Sequence, residues 1–279
     1  MDFIEALKAI LFGIIEGITE WLPVSSTGHM IILEKWLNVS STYSDAFWQF
    51  FLVAIQLGAI IAVIIMFFHK LWPFGKTKTK EEKQLTWHMW FKVLLACLPA
   101  AIVGLLFDDW IEAHLNNAWT VSITLIIYGI LFIALEIWNK RRTFKVSDVK
   151  QMTYRTALII GCIQLLAIIP GTSRSGVTIL GAMLIGCDRT VSAEFSFFLS
   201  IPVMVGASLL KGVKFFMENT LTLDQGLFLG IGMAVAFIVS ILVIKFLMSF
   251  IKKHDFKPFG YYRIGLGILL IILLATGCL

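Results

Sequence analysis

The chain has 279 residues, of which 58% are hydrophobic and only 15% charged, with a formal net charge of +5 and a mean hydropathy of +0.88. Soluble domains carry roughly 25% charged residues, so a water-soluble enzyme, a disordered chain and a fibrous repeat are excluded. The apolar residues form long blocks rather than short alternating strands, which points to membrane-spanning helices and not a barrel. The basic excess is that of cytoplasmic loops, and no nucleic-acid partner is expected.

In chain order, Met1–Glu34 reads as a helical hairpin broken at Pro23-Val24-Ser25-Ser26-Thr27-Gly28-His29. No basic segment with a cleavage site precedes it, so it is expected to stay in the mature protein. Phe47–His69 is the first full span, followed by a loop, Lys70–His88, with five lysines. Met89–Phe107 and Ala118–Trp138 are the next spans, joined by an acidic loop, Asp108–Asn117. The basic stretch Asn139–Arg155 leads to Thr156–Asp188, about 33 residues broken at Pro170-Gly171-Thr172-Ser173-Arg174-Ser175-Gly176. Two full crossings need about 40 residues, so a second re-entrant hairpin is expected there. Glu194–Met217, Gly226–Phe250 and Tyr262–Cys278 complete six spans, with the basic stretch Ile251–Arg263 before the last. Basic loops are expected inside and acidic ones outside. Glu136 and Lys245 are expected to snorkel at span ends, and the four cysteines to be small core residues.

A shift of 147 lays Pro23 on Pro170, Ser25 on Thr172, Ser26 on Ser173 and Phe50-Phe51-Leu52 on Phe197-Phe198-Leu199. The charge bias has the two halves entering from opposite sides. The expected fold is therefore an all-α polytopic membrane protein of six transmembrane helices plus two re-entrant helical hairpins, arranged as an inverted repeat. The chain 1–279 is expected to be a single integral membrane domain, with repeat 1 at about 1–138 and repeat 2 at about 150–279.

A few polar residues sit where polarity is expensive. Glu16 and Glu20 share one helix face, and two adjacent carboxylates need a proton or a cation between them. Ser25, Ser26 and Thr27 can donate to an oxyanion, Gly28 lets the backbone approach closely, and His29 is placed to deprotonate Ser26. Arg174, flanked by Thr172, Ser173, Ser175 and Gly176, is a cation in an otherwise uncharged stretch. It needs an anion, either phosphate or one of the two glutamates. Gln56 lies within a span and either lines the same cavity or bonds a neighbouring helix. The set suits metal-assisted phosphoryl transfer from a molecule that lives in the bilayer.

These motifs resemble the undecaprenyl-diphosphatase (bacitracin-resistance) family of bacterial membrane enzymes. The run Glu16–His29 is similar to that family's glutamate-rich first motif, and Pro170–Gly176 to its second. The resemblance extends from Ala9 to the last helix. It implies hydrolysis of undecaprenyl pyrophosphate to undecaprenyl phosphate and inorganic phosphate, which recycles a cell-wall lipid carrier and confers bacitracin resistance. It also implies a divalent cation (Mg²⁺ or Ca²⁺), a homodimer in the plasma membrane, and a site open to the outer face. Family roles carry over to Glu16, Glu20, Ser26, His29, Ser173 and Arg174, with Ser25, Thr27 and Thr178 nearby. Trp21 stands where many members have Phe, and Leu52 where an acidic residue is expected. The nucleophile stays open between Ser26, His29 and water. A lipid phosphatase of the phosphatidic-acid type is excluded, because it needs a second His after the Arg and none lies between His114 and His254. The rival class is a transporter or flippase of a polyprenyl phosphate lipid using the same midplane residues.

Overall fold

The computed structural model describes residues 1–39 and 42–278, without the side chains of residues 108, 109, 112 and 113. Among the described residues, six helices are long and apolar enough to cross a membrane. They are α3 (Asp45–Met66), α5 (Lys80–Leu115), α6 (Ala118–Asn139), α9 (Arg189–Glu218), α10 (Leu223–Phe250) and α11 (Lys257–Ala275), and a short α4 (Phe68–Leu71) follows α3. Among the described residues there is no strand beyond one isolated bridge, Val146 to Cys187. The protein is a multi-pass, all-α membrane protein.

The two predicted hairpins are helix–break–helix units. In front, α1 (Phe3–Thr19) is followed by a turn and α2 (Ser26–Leu37). Behind, α7 (Tyr154–Gln164) tightens into a 3-10 turn, Leu165–Ile168, before the break and α8 (Arg174–Leu184). Helices α7 and α8 have 11 residues each. That is roughly 16 Å at 1.5 Å per residue, about half of a hydrocarbon core. A re-entrant path fits these lengths.

Packing repeats between the halves. Helices α1 and α3 lie against α10, while α7 and α9 lie against α5; α3 also packs on α9, and α6 on α11. Close approach is repeated too. A Cβ on Gly13 would stand 2.7 Å from the Gly232 carbonyl of α10, and one on Gly161 2.3 Å from the Ala96 carbonyl of α5. The backbone sets the correspondence at 148, one residue from the alignment by residue type. Ser25 and Ser173 precede α2 and α8 with φ of 72° and 69°, a region that costs a non-glycine residue about 1–3 kcal/mol. Ser26 and Arg174 therefore occupy the same structural position, the first residue of the second hairpin helix.

Several expectations change. The acidic stretch Asp108–Asn117 is not a loop down to its last residues, because α5 runs on to Leu115; the side chains of Asp108, Asp109 and Glu112 lie outside those described. Arg263 is not part of a solvated basic loop. Helix α11 begins at Lys257, with Pro258 in its first turn, and Arg263 is wholly buried inside it. Of the four cysteines only Cys187 is buried; Cys97 is half-buried, and Cys162 and Cys278 are exposed.

Glu136 does not snorkel. It is 1% exposed and takes a two-pronged bond from Arg189, Nε to Oε1 at 2.8 Å and Nη2 to Oε2 at 2.6 Å. The Phe256 amide donates to Oε1 as well (2.9 Å). This ties α6, α9 and the start of α11 together. Glu136→Ala leaves a guanidinium and an amide without their acceptor, so it should destabilise the fold by roughly 3–5 kcal/mol, read as a lower unfolding midpoint in detergent.

Candidate active site

The front hairpin is anchored by aromatic packing. Phe12 of α1 meets Trp48 of α3 at 4.8 Å, edge to face, and Phe51 meets Phe228 of α10 at 4.9 Å. Its turn is fixed by Trp21, fully buried and edge-on to Phe197 of α9 at 5.3 Å. The Trp21 indole N–H has no partner, so the ring acts there as an apolar anchor. Leu52 packs against the apolar core.

Between the turns lies a cavity of about 190 Å³. Glu20, Ser26, Thr27 and Gln56 line it from the front half, Ser173 and Arg174 from the back half, and Met204 of α9 closes it. Glu20 is its centre. Its Oε1 accepts from Arg174 Nη2 (3.0 Å) and its Oε2 from the Ser26 hydroxyl (3.3 Å). The Glu20 carbonyl accepts from the Ser175 hydroxyl (3.0 Å). Arg174 Nη1 donates to the Ser196 carbonyl (2.8 Å), and its buried Nε is unpartnered. The Ser173 hydroxyl caps α8 by accepting the Gly176 amide (3.2 Å).

The other predicted residues are placed as follows. Glu16 lies one turn before Glu20, 2% exposed, within electrostatic reach of Glu20 and Arg174, and its Oε1 has no partner. Ser25 and Thr172 are buried in the two turns. Thr178 does not face the cavity; its hydroxyl donates back to the Arg174 carbonyl (2.8 Å) and meets the Ser196 hydroxyl (2.7 Å). His29 is not brought to Ser26. Its Nδ1–H donates to the Ser25 carbonyl (2.8 Å), its Nε2 pairs with the Tyr262 hydroxyl (2.7 Å), and the two rings stack at 5.7 Å.

Sequence reasoning missed Tyr262, Arg263 and Gln164. Gln164 stands at the position equivalent to Glu16 and is likewise buried, with neither amide atom partnered. Arg263 Nη1 donates to the Pro23 carbonyl (3.2 Å), and Nη2 to the carbonyls of Gly171 and Thr172 (2.9 Å each).

The chain matches the family described as "Bacitracin resistance protein BacA" over residues 9–269. The chain belongs to that family. Among its relatives, an undecaprenyl-diphosphatase of Enterococcus faecalis is 54% identical over 99% of both chains. One of Streptococcus thermophilus is 54% identical over 96% of this chain and 93% of its own. One of Lactiplantibacillus plantarum is 53% identical over 96% and 97%. Within the BacA family this chain is thus similar, end to end, to proteins named for a phosphatase. Its cavity holds the groups such chemistry uses: a hydroxyl, a carboxylate on it, and a guanidinium.

Proposed function

We propose that the chain hydrolyses undecaprenyl diphosphate to undecaprenyl phosphate and inorganic phosphate, recycling the lipid carrier and thereby conferring bacitracin resistance. One observation carries the reading: Glu20 joins the Ser26 hydroxyl and the Arg174 guanidinium on the wall of one cavity. The apolar surroundings suit a lipid. A groove of about 440 Å³ between α6, α7 and α8 is lined by Tyr128, Leu131, Ile163, Leu166 and Val177. Leu166 lines the groove and the next residue, Ala167, lines the cavity. The prenyl chain lies along this groove with the diphosphate in the cavity. The positive loops orient the helices in the plasma membrane, and the family resemblance supports a site open to its outer side and a homodimer.

The diphosphate takes the place of Glu20 on Arg174, whose free Nε adds a second donor, and so releases Glu20 to act on Ser26. Ser26 Oγ attacks the terminal phosphorus while its proton passes to Glu20 Oε2. The bond from phosphorus to the bridging oxygen breaks, and the lipid phosphate leaves with that proton. Water then attacks the phosphoserine, Glu20 takes the water's proton, and Ser26 Oγ recovers it as inorganic phosphate departs.

The orphaned Glu16 oxygen beside Glu20 is a hard, buried oxygen donor, of the kind that Mg²⁺ or Ca²⁺ takes. Such ions use one or two carboxylates together with substrate phosphate oxygens. Glu16 and Glu20 would hold the cation, which when bound supplies positive charge to the phosphate oxygens. Phosphate release from a C55 diphosphate by purified protein in detergent tests the function. Release is expected with divalent cation and is abolished by EDTA; no release under either condition overturns it. A flippase would give none, since hydrolysis needs no second compartment.

In this arrangement His29 supports the strained Ser25 and is not the base. His29→Gln, which still donates to the Ser25 carbonyl, should stay within about 10-fold of wild type, while His29→Ala should lose about 10²-fold. Equal losses in kcat for both variants would return the base role to His29.

A further inference from the structure

We propose that Arg263 is a positioning residue for this cleavage: its guanidinium clamps the two hairpin turns together through equivalent backbone carbonyls and sets a fixed positive charge behind the phosphate-binding end of α8. The inference rests on the function proposed above and adds a residue to its site.

The acceptors carry the first half of the argument. Pro23 and Gly171 are 148 apart, the spacing that relates Ser25 to Ser173. One side chain from α11 therefore bonds the same carbonyl in both halves, and the Thr172 carbonyl besides. Each of these carbonyls lies one or two residues before a serine with positive φ. Among the described residues, no other side chain from outside the two hairpins is hydrogen-bonded to both turns; within them the Ser175 hydroxyl meets the Glu20 carbonyl and the Ser173 hydroxyl. The cavity lies between those turns, and Ser26 and Arg174 begin the helices that follow them. Arg263 thus fixes the turns that carry the nucleophile and the guanidinium, while Glu20 bonds both groups directly.

Charge carries the second half. Arg263 is fully buried, and among the described residues no carboxylate pairs with it; besides bonding the three carbonyls, its guanidinium lies over the Tyr128 ring at 5.7 Å. Its Nε is unpartnered. A Cβ added to Gly176 would stand 3.1 Å from Arg263 Nη1 and 3.3 Å from Ser173 Oγ. The guanidinium therefore lies directly against the first turn of α8, beside the hydroxyl that caps it. A buried guanidinium without an anion is costly to keep in a membrane protein. A dianionic phosphate arriving in the cavity supplies that anion across one layer of backbone.

The test uses full-length protein in detergent, with kcat and KM for a C55 diphosphate and the melting temperature with and without inorganic pyrophosphate. Arg263→Lys keeps the charge and cannot bridge the turns. It should lose about 10²-fold in kcat with KM nearly unchanged. Arg263→Gln keeps donors and loses the charge. It should also raise KM about 10-fold and abolish the rise in melting temperature that pyrophosphate gives the wild type. Gly176→Ala, which retains Arg263 and presses on Nη1, should lower kcat about 10-fold at an unchanged melting temperature. This third variant decides the matter if the first two do not fold. Arg263 variants that fold with kcat within threefold of wild type, or an unaffected Gly176→Ala, overturn the proposal. If wild type releases no phosphate at all, the proposed function has failed. The clamp is then judged on pyrophosphate binding, where a wild-type shift in Arg263→Gln overturns it.

Discussion

Arg174→Ala should lower phosphate release from a C55 diphosphate by about 10³-fold or more. The guanidinium is the cavity's fixed cation, and an arginine aimed at a transferring phosphoryl group is worth about 10³–10⁵ in kcat. The loss has a second source. Arg174 is the partner of Glu20, and the two side chains are 11% and 7% exposed. Removing one leaves the other carboxylate buried and unpaired, roughly 3–5 kcal/mol of stability. Activity must therefore be expressed per folded molecule, by size-exclusion profile and melting temperature. Arg174→Lys should recover only part of the rate. An ammonium keeps the charge but cannot hold the Ser196 carbonyl and an incoming phosphate oxygen with one planar fork. A lysine variant with wild-type kcat would show that charge alone suffices.

Ser26→Ala and Glu20→Gln should each cost about 10³-fold in kcat, and the double variant should be hardly worse than either single one. Groups that act as a unit are non-additive. In this site the Ser26 hydroxyl has Glu20 Oε2 as its only hydrogen-bond partner among the described residues. Without the hydroxyl, a base for it has nothing to deprotonate. Effects that multiply in the double variant would separate the two residues and point to water as the attacking group, with Glu20 acting on it. Glu20→Gln also removes a negative donor for a divalent cation. Its residual rate should therefore respond less steeply to cation concentration than that of Ser26→Ala.

The broad fold was legible because membrane burial imposes simple rules. Helices α3, α6, α9 and α10 were predicted to within a few residues, since about 20 apolar residues leave few alternatives. The breaks at Pro23 and Pro170 were legible from proline and glycine chemistry. So was the convergence of Glu20, Ser26, Ser173 and Arg174, because isolated charges in apolar sequence need partners. Arg263 was hidden by its neighbours. It follows Lys252, Lys253 and Lys257 and so reads as the end of a basic loop, yet α11 starts at Lys257 and turns Arg263 inward. Only its position two turns into an apolar helix could have exposed it. Glu136 was misread for the opposite reason: its partner Arg189 is 53 residues away, and pairing at that range leaves no local pattern.

Thr178 shows where motif proximity misleads. It is four residues after Arg174, one helical turn, and that spacing aims its hydroxyl at the Arg174 carbonyl rather than at the cavity. The repeat offset shows the same limit. Residue identity favours 147, because prolines and serines align. Backbone geometry gives 148, because the strained serine before each second helix is the shared feature. The correspondence makes Ser26 and Arg174 counterparts; in the proposed mechanism one position in the repeat would supply the nucleophile in one half and the anion-binding cation in the other.

In the proposed mechanism the terminal phosphate is cleaved in the cavity between the two turns, by transfer to Ser26. Rapid acid quench of purified protein with a C55 diphosphate labelled in its terminal phosphate measures this directly. Label should appear on Ser26 before it appears as free inorganic phosphate, and Ser26→Ala should show neither at more than about a thousandth of the wild-type rate. Label passing straight to inorganic phosphate, at a near-normal rate in folded Ser26→Ala, would contradict it.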